Sequence, residues 1–280
     1  MATLMDGTSL AARITAGTTE RAAEITRRTG TPPCLATVLV GDDPASATYV
    51  KMKQNRCRKA GIASRHVTLP ATATTGEVVA AITALSGDPS VHGILLQHPV
   101  PPRVDERAAF EAIDPAKDVD GVTLRSYATM SFGLPGFSSC TPGGIMRLLD
   151  EYDVELAGKR AVVIGRSPIL GKPVGMLLLG RDATVTYCHS RTADLHAITR
   201  EADVLVAAAG RPRFIPGDAV KPGAAVIDAG CSPGNVGDVD FDSVSRVASL
   251  ITPVPGGVGP MTIAVLLAQT ADAASGLLGR

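Results

Sequence analysis

The chain has 280 residues, with 27 basic and 27 acidic side chains and therefore a formal charge of zero. This length is enough for two domains, and the balanced charge gives no indication of binding to nucleic acid or to an anionic membrane. No apolar run reaches the ~20 residues that a membrane-spanning helix needs, and the first residues lack a signal-peptide pattern. We therefore expect a soluble, cytoplasmic protein.

The five cysteines are scattered along the chain without a C-x-x-C pair. This pattern is typical of reduced thiols in a reducing compartment and indicates neither a disulfide framework nor a zinc site. The five histidines form no H-E-x-x-H motif. We therefore expect no bound metal.

The first half of the chain alternates between strand and helix patterns. An alternation of this kind predicts right-handed crossovers and a parallel sheet, with loops at the carboxyl ends of the strands forming a ligand cleft. Thr74 and Glu77 have the spacing of a capping box, so a helix is expected to begin there. The predicted strands are 34–40, 66–69 and 93–96, and the predicted helices are 8–28, 46–59, 78–85 and 105–113.

The second half repeats this alternation after a stretch rich in Ser, Gly and Pro over 126–139, which predicts a loop. The crossing between two domains is expected near 140–144. A Pro/Gly loop is predicted over 252–260. The predicted strands are 161–164, 184–188, 204–209 and 224–229, and the predicted helices are 145–152, 174–179, 195–200 and 261–278.

A glycine turn follows the first strand of the second half and leads into a helix. The turn contains Gly165, Arg166, Ser167 and Gly171. Free N–H groups and the positive end of the helix dipole make such a turn a ready phosphate site. The spacing differs from G-x-G-x-x-G, and strand, glycine and helix also follow one another in many proteins that bind no nucleotide.

Basic and hydroxyl side chains follow the next strand, at Ser190 and Arg191. Enzymes that use NAD usually place an acidic residue at this strand end to bind the ribose hydroxyls, whereas an arginine suits a 2′-phosphate. Together with Arg166 in the first turn, these residues favour NADP.

Candidate chemistry in the first half centres on Tyr49 and Lys53, which share one face of a predicted helix at i and i+4. A lysine close to a cationic or electrophilic substrate can act as an acid or base near neutral pH. Gln97 follows a buried strand and can orient a water or a carbonyl. The ordinary alternatives are a solvated lysine and plain turn chemistry. Asp118 and Asp120 offer a carboxylate to a ligand or cap a loop.

Read together, these segments resemble the bifunctional methylenetetrahydrofolate dehydrogenase/methenyltetrahydrofolate cyclohydrolase family, the FolD type. The matching motifs occur in the family's order and span nearly the whole chain. They are YVKMK at 49–53, GILLQHPVP at 93–101, KDVDG at 117–121, CTP at 140–142, GRS at 165–167 with GKP at 171–173, and PVPGGVGPMT at 253–262.

The resemblance implies an α/β protein with an N-terminal parallel αβα folate domain and a C-terminal NADP-binding Rossmann domain. The folate domain spans 1–140 and 261–280, because the last helix returns to it, and the Rossmann domain spans 141–260. The resemblance also implies a homodimer that uses NADP and folate one-carbon derivatives.

The resemblance further implies roles for individual residues. Lys53 corresponds to the catalytic lysine and Gln97 to its hydrogen-bond partner, Tyr49 to the tyrosine that packs on the pterin, and Asp120 to the carboxylate that holds the pterin edge. The cofactor residues are then Gly165, Arg166, Ser167, Gly171, Ser190 and Arg191, and further substrate contacts are Pro255, Gly256 and Gly257.

Two departures from the family pattern stand out. His98 occupies a position that is commonly apolar, and the segment 122–127 lacks the usual aromatic-Pro-x-Asn-x-Gly pattern. Because of this altered loop, two alternatives to the bifunctional enzyme stay open: a monofunctional dehydrogenase and a non-catalytic folate- or NADP-binding paralogue. A dehydrogenase of the shikimate or amino-acid type is a further alternative, because it shares the Rossmann half, although it has no need of Gln97 beside Lys53.

Overall fold

The structure, a computed structural model, describes residues 1–41 and 44–276, and the side chains of residues 44–49 lie outside this description. The chain divides into two compact units. The three-stranded unit comprises Arg13–Ser139 and the chain from Ile263 onward. The six-stranded unit comprises Met1–Ala12 and Cys140–Thr262.

Strands and helices alternate through most of the described chain. The strands are β1 Thr3–Leu4, β2 Cys34–Val40, β3 Ala63–Leu69, β4 Gly93–Leu96, β5 Arg160–Ile164, β6 Thr184–Cys188, β7 Val204–Ala207, β8 Ala225–Asp228 and β9 Leu250–Ile251. The helices are α1 Gly7–Thr29, α2 Pro44–Lys59, α3 Thr75–Gly87, α4 Glu106–Glu111, α5 Leu124–Ser131, α6 Cys140–Glu151, α7 Gly171–Leu179, α8 Leu195–Thr199, α9 Phe241–Val244 and α10 Val258–Ala274.

The three-stranded sheet is parallel, with β2 between β3 and β4. Strands β2 and β4 are buried along nearly their whole length, as expected for apolar runs covered on both faces. The chain adds β3 on one side of β2 and then crosses to add β4 on the other side. Strand order therefore reverses between β2 and β4, which is the position where open α/β sheets bind ligands at their carboxyl edge.

The six-stranded sheet is also parallel, in the order β1-β9-β8-β7-β5-β6. Its core consists of small and branched apolar side chains that include Val162, Leu205, Val226 and Ile251. From β5 the chain goes to β6 on one side and then returns to β7 on the other. The reversal of strand order in this unit lies between β5 and β7.

Helix α10 begins in the six-stranded unit and continues in the three-stranded unit from Ile263. Its side chains from Ala264 to Ala271 are buried. It lies close to the start of β4, where a Cβ on Gly93 would stand 3.2 Å from Thr270 Oγ1. Glycine at this position permits the close approach of helix and strand.

The expectation of two α/β units with parallel sheets is confirmed, as is the capping box at Thr74, whose side chain accepts from Glu77 N. The expectation of a loop over 126–139 is wrong for its first part. Helix α5 occupies Leu124–Ser131, and its N-cap is Thr123, whose hydroxyl accepts a hydrogen bond from Ser126 N. A local cap and a helical spacing therefore outweigh the Ser/Gly composition.

Three other differences concern two helices that begin earlier than expected and one additional strand. The predicted loop at 252–260 gives way to α10, which already begins at Val258, and α6 begins at Cys140 within the predicted crossing. Strand β1 was not predicted. It pairs with β9, so the first twelve residues group with the six-stranded unit and not with the three-stranded one.

Candidate active site

Lys53 and Gln97 meet at the carboxyl edge of the three-stranded sheet. Lys53 lies on α2, which follows β2, and Gln97 is the first residue after β4. Lys53 Nζ donates a hydrogen bond to Gln97 Oε1 at 3.0 Å, and both residues are half-buried. Because strand order reverses between β2 and β4, the pair occupies the expected ligand position of this sheet. A titratable amine and an amide oxygen are thus held together beside a binding edge.

Gln97 is fixed by two further hydrogen bonds. Its backbone N–H donates to Val38 O on β2 at 2.8 Å, and its Nε2 donates to His98 O at 3.0 Å. Since an amide carries its donor and its acceptor on opposite sides, the second bond directs Oε1 to Lys53. The His98 ring lies edge-on to the buried Phe110 with centroids 6.2 Å apart. His98 is therefore accommodated by packing.

The other residues of α2 contribute less to the geometry that can be described. Tyr49 lies one turn before Lys53, but its side chain is outside the described residues, so its predicted contact with a ligand stays a prediction. Cys57 lies one turn after Lys53 and is buried. Burial raises the pKa of the Cys57 thiol to about 12, so this cysteine stays protonated and is no nucleophile at neutral pH.

The motif at 117–121 contains residues that hold the backbone in place and one residue that is accessible to a ligand. Asp118 is fully buried, and its carboxylate accepts N–H groups of Val122 at 3.1 Å and Thr123 at 2.9 Å. Lys117 Nζ donates to Asp88 O at 2.6 Å beyond the end of α3. Asp120, two residues after Asp118, is half-buried. Of the two predicted carboxylates, Asp118 therefore holds the turn and Asp120 is the one that can meet a ligand.

The segment 122–127, which departs from the family pattern, is well held. Arg107 Nη1 donates to Val122 O at 2.8 Å, and Glu111 Oε1 accepts from Leu124 N at 3.0 Å. These contacts join α4 to the N-terminus of α5. The altered segment forms an ordered helix start and leaves the Asp118 turn intact.

In the six-stranded unit, the predicted glycine turn lies where strand order reverses. Gly165 follows β5 with φ +142°, and a Cβ there would stand 2.4 Å from Ala208 O beyond β7. A Cβ on Gly171, the first residue of α7, would stand 2.4 Å from Gly165 O and 2.8 Å from Arg166 N. The backbone is therefore packed too tightly for side chains, as a phosphate cradle requires.

The start of α7 is suited to an anion. No side chain caps this helix N-terminus at Leu170, and Ser167 Oγ accepts from Ile169 N at 3.3 Å within the turn. Arg166 and Arg191 are exposed, and so is Ser190. Arg191 is placed just after β6 by the hydrogen bond from its N–H to His189 Nδ1 at 3.2 Å. A helix N-terminus without a side-chain cap and two guanidinium groups at one sheet edge fit a dinucleotide that carries an extra phosphate.

Pro255, Gly256 and Gly257 form a turn in the six-stranded unit. Gly256 O accepts the N–H of Thr8 at 3.0 Å, and Gly257 N donates to Pro253 O at 2.9 Å. These residues lie in a different unit from Lys53, Gln97 and Asp120. Their predicted contact with the substrate stays a prediction.

Sequence reasoning missed two buried aspartates of the six-stranded unit. The Asp228 carboxylate accepts N–H groups of Gly230, Asp238 and Val239 at 2.9, 2.9 and 3.0 Å. Burial nevertheless raises the pKa of Asp228 above its ordinary value. The position of Asp228 at the end of a buried strand was the available signal.

The second of these aspartates, Asp238, holds the loop after β7. Its carboxylate accepts N–H groups of Ala209, Gly210 and Arg211 at 2.6, 3.0 and 2.8 Å. This loop continues from Ala208, which packs against Gly165. The two aspartates thus shape the sheet edge next to the glycine turn.

Within the residues that the structure describes, no group of three His, Cys, Asp or Glu side chains could hold a metal ion. In that same part of the chain, no helix is both long enough and apolar enough to cross a membrane.

Comparison with known proteins identifies both halves of the chain. The profile of the tetrahydrofolate dehydrogenase/cyclohydrolase catalytic domain matches residues 5–120, and that of the NAD(P)-binding domain of the same family matches 139–277. Bifunctional protein FolD 1 of Streptomyces avermitilis is 74% identical over 278 residues, which cover 99% of this chain and 97% of the relative.

Solved structures give the same result. The bifunctional FolD dehydrogenase/cyclohydrolase of Campylobacter jejuni has a TM-score of 0.96 and 44% identity, with 99% of each chain covered. The Trypanosoma brucei methylenetetrahydrofolate dehydrogenase-cyclohydrolase, solved with NADP cofactor and inhibitor, has a TM-score of 0.94 and 38% identity, covering 98% of this chain and 97% of that chain.

Proposed function

We propose that this chain, which belongs to the tetrahydrofolate dehydrogenase/cyclohydrolase family, performs its folate chemistry with Lys53, Gln97 and Asp120 and binds its cofactor at the glycine turn. The chain is a bifunctional enzyme of one-carbon metabolism. It oxidises methylenetetrahydrofolate to methenyltetrahydrofolate with NADP and hydrolyses the product to formyltetrahydrofolate.

The alternatives left open by the altered loop are not supported. The chain matches bifunctional relatives over nearly its whole length. This finding argues against a monofunctional dehydrogenase, a non-catalytic paralogue and a dehydrogenase of the shikimate or amino-acid type. The prediction of NADP as cofactor is confirmed by the NAD(P)-binding domain and by the NADP-complexed neighbour. The degree of preference for NADP over NAD remains part of the proposal.

The observation that carries the residue assignment is the 3.0 Å hydrogen bond from Lys53 Nζ to Gln97 Oε1. In the cyclohydrolase step, water adds to the cationic methenyl carbon, and the amine of Lys53 accepts the proton that the water loses. The C–N bond then breaks as the added hydroxyl group becomes the formyl carbonyl. The ring nitrogen takes up the proton from Lys53, and the hydroxyl proton passes to solvent, so the step releases one proton overall. Gln97 holds the amine in place because its own amide is fixed by His98 O.

Asp120 supplies binding to the folate. A carboxylate can accept two adjacent N–H groups, which the amino and amide edge of a pterin presents. Tyr49, one turn before Lys53, offers a ring for the pterin face. The family resemblance also implies substrate contacts by Pro255, Gly256 and Gly257, which stay a prediction.

The dehydrogenase step needs less from side chains. When bound, the nicotinamide supplies the acceptor of a hydride from the methylene carbon. The N–H of Gly165 donates to Cys188 O, so Gly165 contributes only close approach of the backbone. The backbone N–H groups of Ser167 and Gly171 hold the phosphates at the start of α7. Arg166, Ser190 and Arg191 hold the 2′-phosphate through charge-assisted hydrogen bonds.

A single assay tests this proposal. Purified protein is mixed with methylenetetrahydrofolate and either NADP or NAD, and the reduced-nicotinamide band and the methenyl band are followed together. We expect a growing reduced-nicotinamide band with kcat/KM favouring NADP by roughly 10- to 100-fold, the worth of one to two charge-assisted bonds. Equal efficiency with both cofactors would contradict the assignment of the two arginines.

The proposal includes a homodimer in the cytoplasm, which the family resemblance supports. Light scattering of the purified protein should then give twice the chain mass of 28.7 kDa. A monomer mass at assay concentration would contradict the dimer without touching the residue assignments.

A further inference from the structure

The backbone around Asp120 is held by a side chain from the far end of the sequence. Gln269 lies on α10 and is 5% exposed. Its Nε2 donates to Val119 O at 2.7 Å and to Ser138 O at 3.0 Å. Because Val119 O belongs to the peptide group that leads into Asp120, this bond acts directly on the backbone that carries the carboxylate.

The same turn is tied on its other side. The buried Asp118 carboxylate accepts the N–H groups of Val122 and Thr123, and Ser139 Oγ donates to Gly121 O at 2.8 Å. The peptide group before Asp120 is therefore hydrogen-bonded to α10, and the peptide group after Gly121 is hydrogen-bonded to Ser139. A carboxylate on such a turn has little freedom to move, which is the condition for oriented recognition of a planar ligand edge.

We propose that Gln269 is a positioning residue for Asp120, so that α10 sets the affinity of the enzyme for folate. This inference rests on the proposed role of Asp120 as the pterin-binding carboxylate. Gln269 acts through the peptide group of Val119 and Asp120 and does not itself touch the substrate. Loss of its two donated hydrogen bonds releases the turn and lowers the fraction of molecules in which Asp120 is oriented for binding.

The test compares two isosteric substitutions on the same helix. Gln269→Met keeps the length of the side chain and removes both donors. Thr270→Val is its matched control, because Thr270 is equally buried and its hydroxyl donates within α10, to Leu266 O at 2.8 Å. We expect Gln269→Met to raise the KM for methylenetetrahydrofolate by about tenfold, with the KM for NADP unchanged. Thr270→Val should leave both constants at the parent values.

A double-mutant cycle with Asp120→Asn separates positioning from general loosening of the fold. If Gln269 acts through Asp120, Gln269→Met raises the folate KM in the parent but adds almost nothing in the Asp120→Asn background. Additive effects, or an equal rise in the KM for NADP, would overturn the inference. If Gln269→Met does not fold, Ser139→Ala takes its place in the cycle, with the same expected loss of effect in the Asp120→Asn background.

The cycle also distinguishes the two proposals. Should Asp120→Asn raise the folate KM while Gln269→Met leaves it unchanged, the inference about Gln269 fails and the proposed role of Asp120 stands. Should Asp120→Asn leave the folate KM unchanged, the proposed role of Asp120 fails, and the inference fails with it.

Discussion

In the three-stranded unit the candidate site at the carboxyl edge of the sheet is formed by side chains, whereas in the six-stranded unit the corresponding candidate site is formed by backbone groups. Lys53 and Gln97 are hydrogen-bonded to each other where strand order reverses between β2 and β4. At the reversal between β5 and β7, Gly165 and Gly171 bring main chain against main chain, and no side chain caps α7. The same topological position is thus built from different groups in the two units.

The proposed ligands of the two units account for this difference by their chemistry. A proton transfer needs a titratable group, which only a side chain provides. A phosphate needs several N–H donors in a fixed array, which a helix N-terminus already provides. Function in the first unit should therefore depend on what the side chains are, and in the second on the absence of a Cβ.

The strongest test of this comparison is Lys53→Met, which keeps an unbranched apolar stem and removes the amine. We expect cyclohydrolase turnover to fall by at least the ~100-fold typical of a general acid–base group. Dehydrogenase activity should fall less, because hydride transfer depends mainly on positioning, so methenyltetrahydrofolate should accumulate. Absorbance of the methenyl product and of reduced nicotinamide measures both activities in one mixture.

Lys51→Met is the matched control for this experiment. Lys51 lies two residues earlier on α2 and is exposed, so its loss should leave both turnover numbers unchanged. A Lys53→Met protein that binds NADP and hydrolyses the methenyl compound at the parent rate would show that Lys53 takes no part in the cyclohydrolase step.

Much of the fold could be predicted because its signals are local. Val162 and Leu205 belong to apolar runs short enough for buried strands, and the Thr74 capping box is complete within four residues. Strand β1 could not be found this way. It has two residues, both exposed, and it exists only because β9 pairs with it.

In the candidate site, too, some residues could be predicted from local sequence signals and others could not. Lys53 and Gln97 stand out because their positions relative to the strand ends can be read along the chain. The roles of Asp238 and Gln269 depend on backbone groups that folding brings to them, from 27 to 29 residues away for Asp238 and from 150 residues away for Gln269. A buried glutamine on an apolar helix carries no sequence signal that names its partner.

A smaller effect is expected from Gly171→Ala, which tests the backbone half of the comparison. The added Cβ would stand 2.4 Å from Gly165 O and 2.8 Å from Arg166 N, so the turn must shift. Loss of one or two phosphate hydrogen bonds should raise the KM for NADP by about tenfold or more. Hydrolysis of added methenyltetrahydrofolate requires no oxidant and should proceed at the parent rate.

Gly180→Ala serves as the control at the other end of α7. Gly180 has φ −64°, and a Cβ there would lie no closer than 3.5 Å to its neighbours, so alanine fits without strain. If Gly171→Ala left the KM for NADP unchanged, the phosphates would have to bind elsewhere than at this turn.

The smallest expected effect concerns Asp88, which precedes β4 at the edge of the sheet opposite to Gln97. Hydrogen bonds from Ser90, together with Arg65, hold the pKa of this carboxyl at about 2, against an ordinary value of 3.8. Because the folded state lowers the pKa, Asp88 stabilises the protein above about pH 4, and this contribution is lost as the pH falls through about 2.

We therefore expect Asp88→Asn to lower the melting temperature modestly at pH 7, and the difference from the parent to disappear toward pH 2. Both enzyme activities at pH 7 should stay unchanged, since Asp88 lies away from the Lys53 edge. If Asp88→Asn changes the stability and leaves the activities unchanged, the contribution of Asp88 to stability in acid can be told apart from the chemistry at Lys53. If Asp88→Asn altered the cyclohydrolase rate at pH 7 while the melting temperature stayed the same, the binding edge and its opposite edge would be coupled, and the side-chain chemistry could no longer be assigned to the Lys53 edge alone.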